Sequence, residues 1–77
     1  MSQYEKLDSL IVETIKQGRN SFSFIFNSKL VLDEAHRISS ANGRDTDRIV
    51  DGRLQALRRR GVIVYVTGWG WRVKEVG

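Results

Sequence analysis

Cysteine is absent from this chain, and histidine occurs once, at His36. Without thiols there can be neither disulfides nor thiolate metal sites, a usage that fits a reducing compartment. A lone imidazole holds a metal only where carboxylates supply the other ligands, so His36 is expected on the surface. No apolar run approaches the roughly 20 residues that a membrane-crossing helix needs. The opening Met1-Ser-Gln-Tyr-Glu-Lys lacks the charged and apolar blocks of a signal peptide. The expectation is a soluble cytoplasmic protein with no membrane partner. Glycine-rich phosphate loops, nucleophile–base pairs and zinc spacings are also missing. The acids Asp33-Glu34 and Asp45, Asp47 and Asp51 miss the calcium-loop pattern, and capping plus solvation accounts for them. A chain of 77 residues makes one domain with a core too small for a deep catalytic cleft. Neither an enzyme nor a cofactor is expected.

Charge is unevenly placed. Residues 1–43 hold five basic and five acidic side chains, whereas residues 44–77 hold eight basic against four acidic. The net charge of +4 therefore lies in the C-terminal half. One-sided charge of this kind favours a polyanionic partner through counterion release. A solvated surface that keeps a small protein soluble is the plainer reading.

The apolar pattern predicts six elements. Tyr4, Leu7, Ile11 and Ile15 recur at three- and four-residue steps, with Leu10 and Thr14 widening the stripe, so a helix is expected over 3–17. Gly18 supplies its stop, followed by a polar Arg19-Asn20 exit. Alternation of Phe22, Phe24 and Phe26 argues for a short strand over 21–27, with the first turn of a helix as the competing reading. A second helix should start near Ser28, capped by Asn27 or Ser28, and bury Val31, Leu32, Ala35 and Ile38. The run Ser39-Ser-Ala-Asn-Gly43 ends it, Asn42-Gly43 being a strong turn signal. Asp45 or Thr46 then caps a third helix over 46–60 that gathers Ile49, Val50, Leu54, Ala56 and Leu57 on one face. The stems of Arg53 and Arg60 lie beside that face. Gly61 closes the helix, and Val62 to Val66 and Trp71 to Lys74 alternate as two hairpin strands around Gly68 and Gly70.

This α-β-α-α-β-β order, with Leu54-x-x-Leu57-x-x-x-Gly61-x-Ile63 running into a short hairpin, resembles the winged helix-turn-helix superfamily. The resemblance covers nearly the whole chain, and small phage or plasmid regulators and excisionase-like architectural proteins are similar in size and charge. It implies an α+β fold with a three-helix core, a small antiparallel sheet, and 46–60 as the recognition helix in a major groove. Two departures stand out. Segment 39–44 lacks the compact hydrophobic–glycine pattern of the tightest helix-turn-helix motifs, and the wing is short.

On that resemblance the expected function is double-stranded DNA binding in a small transcriptional regulator. Arg48 and Gln55, seven residues apart on one stripe, suit guanine and adenine edges, with Arg44 and Thr46 at the entry of the helix. Ser28, Lys29, Arg58, Arg59, Arg72 and Lys74 are the expected backbone contacts. An ordinary solvated face, with Asp51 touching Arg48 or Gln55, explains the same stripe. Gly52 costs the helix up to about 1 kcal/mol, and either admits a ligand close to the backbone or eases packing against the preceding helix. Trp71 should pack on the core beside Tyr65 or the phenylalanines. Trp69, at the hairpin tip, suits stacking on nucleic acid or burial in a dimer. A module this small offers about 600–1,000 Å² of contact, which favours a homodimer on paired half-sites. A protein-interaction module without DNA binding, and a binder of RNA or single strands, remain open alternatives.

Overall fold

The computed structural model describes residues 4–18 and 21–74. They form helices α1 (Glu5–Lys16), α2 (Phe22–Phe26), α3 (Lys29–Asn42) and α4 (Thr46–Arg59), then strands β1 (Ile63–Val66) and β2 (Gly70–Val73). The architecture is α+β, with one two-stranded antiparallel sheet among the described residues.

Helix α1 buries Leu7, Ile11, Thr14 and Ile15, the stripe that periodicity marks. The Thr14 hydroxyl donates to the Leu10 carbonyl at 2.7 Å, which satisfies a polar group inside the core. Gly18 follows the helix at φ 95°, a left-handed angle that suits glycine. The expected Arg19-Asn20 exit lies outside the described residues.

The strand expected over 21–27 does not form; the chain makes the short helix α2 there. Ser21 sits extended at its N-cap and its side chain accepts from the Phe24 N–H at 3.3 Å. Phe22 and Phe26 stack four residues apart, with ring centroids 5.6 Å from each other. Ile25 is fully buried while Phe24 is exposed, so helical spacing wins over alternation. The element order is therefore four helices followed by a hairpin.

Ser28 does occupy the N-cap of α3, but its side chain makes no capping bond. Val31, Ala35 and Ile38 are buried as expected, Leu32 only partly. Glu34 is also buried, at 6% exposure, and survives there because Arg37 one turn later donates to it through both Nε and Nη2. That hydrogen bond holds the Glu34 carboxyl below its ordinary range against the opposing effect of burial. The helix runs on through Asn42, and Gly43 caps it in the left-handed region at φ 74°. Only three residues, 43–45, then separate α3 from α4.

Helix α4 buries Ile49, Val50, Leu54 and Leu57. Its end is a Schellman arrangement: Val62 N–H donates to Leu57 O at 3.0 Å and Gly61 N–H to Arg58 O at 3.1 Å. Gly61 at φ 77° reverses the chain into β1. The hairpin pairs Ile63 with Val73, Val64 with Arg72, Tyr65 with Trp71 and Val66 with Gly70. Directly opposed residues share a face, so Ile63, Val73, Tyr65 and Trp71 lie on one side, Val64 and Arg72 on the other. Trp71 is buried and meets Tyr65 edge-on, centroids 5.2 Å apart.

One contact ties the first helix to the last. Arg53 donates to Asp8 through Nε and Nη2, both at 2.8 Å, and its guanidinium lies 4.6 Å from the centre of the Tyr4 ring. The Asp8 bond raises the Arg53 pKa above its ordinary value, against the effect of burial. Among the described residues no helix is long and apolar enough to cross a membrane.

Candidate nucleic-acid interface

The turn between α3 and α4 is braced by side chains. Asn42 Oδ1 accepts from the Arg44 N–H at 3.1 Å, and the Ser39 hydroxyl donates to the Arg44 carbonyl. Thr46 Oγ1 lies 3.3 Å from His36 Nδ1, a bond between the two helices. His36 is exposed, as expected. Asp45 holds the N-cap position of α4 without capping it; its carboxylate instead stands 4.0 Å from Arg48 Nε. Asp47 Oδ1 accepts from the Arg48 N–H at 2.9 Å. Asp47 thus meets a free amide at the positive end of the helix, where an anion is favoured.

Arg48 projects outward with its side chain 84% exposed. It borders two shallow depressions, one shared with Phe22, Asp47 and Asp51, the other with Gly43, Arg44 and Asp45. Phe22 beside the entry of α4 was invisible in the sequence, because it was assigned to a strand; the stacked pair with Phe26 is the signal that locates it. The expected contacts of Asp51 with Arg48 or Gln55 do not form. Arg48 faces Asp45, and Gln55 Oε1 accepts from Arg58 Nη1 at 3.2 Å. Gln55 is half-buried, whereas Arg58 and Arg59 are exposed.

Gly52 is exposed, and a Cβ built on it meets nothing within 4 Å. Packing against a neighbouring helix therefore does not explain this glycine, one of the two readings it had.

The wing begins where α4 ends. Lys74 N–H donates to Val62 O at 3.0 Å, which sets the base of the hairpin beside the last turn of α4. Lys74 and Arg72 are exposed. Trp69 is 61% exposed at the tip, and the Arg72 guanidinium lies 6.0 Å from its ring centre. Arg60 is exposed and faces the other way, bordering a depression with Glu5, Asp8 and Glu13 of α1. Ser28 and Lys29 start α3 at the end remote from the turn, about 20 Å along its axis. No hydrogen bond or ion pair joins them to α4 among the described residues.

Two charge environments result. Around the first turns of α4, exposed Arg44 and Arg48 face exposed Asp45, Asp47 and Asp51, an excess of one negative charge. From 55 to 74 the chain carries five basic side chains, Arg58, Arg59, Arg60, Arg72 and Lys74, and no acid. No family model matches the chain, and no curated protein or solved structure matches it.

Proposed function

We propose that this chain binds double-stranded DNA as a small transcriptional regulator of winged helix-turn-helix type. Helix α4 would lie in the major groove, and its last turn with the β1–β2 wing would grip phosphates. The observation that carries this reading is the segment from 55 to 74, which holds no acid and exposes Arg58 and Arg59 at the end of α4 and Arg72 and Lys74 on the hairpin. An excess of exposed cations over acids is the footprint of phosphate binding. A three-residue turn between α3 and α4 suits a helix-turn-helix. The type differs from the expectation in having α2 where a third strand was foreseen.

The mixed charge at the entry of α4 supports a different role for that end. An excess of carboxylates repels phosphate, so Arg48 acts at base edges, where a guanidinium fork matches guanine O6 and N7. The test compares two kinds of variant. Arg59→Ala with Lys74→Ala should weaken every duplex about equally and flatten the salt dependence by roughly two phosphate contacts. Arg48→Ala should cost roughly 1–3 kcal/mol on a selected site and little on random duplex. If neither variant changes duplex binding, the reading is wrong.

A protein-interaction module is the second reading, favoured by the exposed Tyr65, Val66 and Trp69 at the hairpin end. Its affinity for a partner would rest on apolar burial and change little with salt.

A further inference from the structure

We infer that α4 reads base edges through an acceptor as well as donors, with the Asp51 carboxylate, one turn after the donor Arg48, as a specificity-determining residue. The inference rests on the DNA-binding reading above and adds the class of sequence that the helix selects.

Asp51 stands on the exposed side of α4, three residues after Arg48 and four before Gln55, so the three follow one another along a single stripe. Its carboxylate has no hydrogen-bond or ion-pair partner among the described residues, although Arg48 is one turn away. An ionised carboxylate only accepts hydrogen bonds. Facing phosphate it would be repelled; in a major groove it can pair only with the amino groups of cytosine N4 or adenine N6. Guanine and thymine, which present acceptors there, are rejected. Asp51 therefore discriminates by repulsion as well as by attraction.

A free glutamine amide both donates and accepts, which is what lets it grip adenine twice. Here Arg58 Nη1 takes one of the two lone pairs of Oε1 at 3.2 Å, and the second lone pair and both N–H groups remain for a base edge. Gln55 therefore keeps adenine within its reach, as well as the acceptors of guanine or thymine. At about 1.5 Å of rise per residue the three side chains span about 10 Å, roughly three base steps of 3.4 Å. Gly52, with open space where a Cβ would stand, leaves the backbone beside Asp51 free to come close to the bases.

The experiment is selection from a randomised duplex library by the intact chain and by Asp51→Asn and Asp51→Ala. The intact chain should enrich a guanine followed within two steps by cytosine or adenine. Asp51→Ala should erase preference at the middle position, a loss of at least about 5-fold in discrimination, while binding random duplex more tightly. Asp51→Asn, nearly the same in shape, should turn that position toward adenine. If the Asp51 variants enrich the sequence that the intact chain enriches, the polarity assignment is overturned while DNA binding stands. If the intact chain retains no duplex, the DNA-binding reading falls and this inference with it. Circular dichroism of each variant separates a lost preference from a lost fold.

Discussion

Asp8 and Arg53 are 45 residues apart, and nothing in the pattern of either helix announces their pairing. Arg53 was legible only as a stem beside the apolar face of its helix. The partner is selected by how α1 packs on α4, a tertiary fact that periodicity does not contain. Both side chains are largely covered, 14% exposed for Asp8 and 21% for Arg53, so removing one carboxylate strands a covered guanidinium. Asp8→Ala should cost about 1.5–3 kcal/mol, the range for hydrogen bonds to charged groups, read from urea midpoints. An unchanged midpoint would mean that water replaces the pair without loss. Glu34 supplies a pH dependence. Its pKa is lowered in the folded protein by the hydrogen bond from Arg37. The stabilisation is thus present above the unfolded carboxylate pKa of about 4.3 and is lost as pH falls through the lower folded value. Arg37→Ala should therefore be less stable than the parent at neutral pH, with the gap closing over the acidic interval below about pH 4.3. A gap that stays constant over that interval would contradict the assignment.

Among the elements, α1, α3, α4 and the hairpin were legible because each has enough turns or alternations for one period to dominate. Segment 21–27 did not, since phenylalanines at 22, 24 and 26 satisfy a period of two and also place the outer pair four apart. The deciding residue is Ile25, which alternation puts on the wrong side and which the helix buries completely. Ser21→Ala removes the only side-chain cap of that short helix and should cost about 0.5–1 kcal/mol, measured by thermal unfolding. Helix α4 carries a sharper test at Gly52. With nothing within 4 Å of a built Cβ and no positive φ, alanine fits there without strain. Gly52→Ala should raise stability by about 0.5–1 kcal/mol and, because the methyl stands between backbone and bases, weaken binding to a selected duplex. A variant that is more stable and binds equally well would remove Gly52 from the interface.

Over the whole molecule, the sequence revealed which half is cationic but not how that charge divides. Exposed acids border the entry of α4, whereas segment 55–74 holds none, and Arg60 turns away toward α1. Of the residues expected at a DNA site, Arg44, Thr46, Arg48, Gln55, Arg58 and Arg59 gather along α4, and Trp69, Arg72 and Lys74 continue onto the hairpin. Ser28 and Lys29 stand apart at the start of α3. The Gln55–Arg58 bond was hidden because rotamers, not spacing, choose among neighbours one turn away. The most direct measurement is the affinity of the intact chain for random duplex as salt rises from 50 to 200 mM. Four phosphate contacts, from Arg58, Arg59, Arg72 and Lys74, predict a log–log slope of about −3.6, at about 0.9 per contact. A slope near zero, or no binding at the lowest salt, would contradict the account.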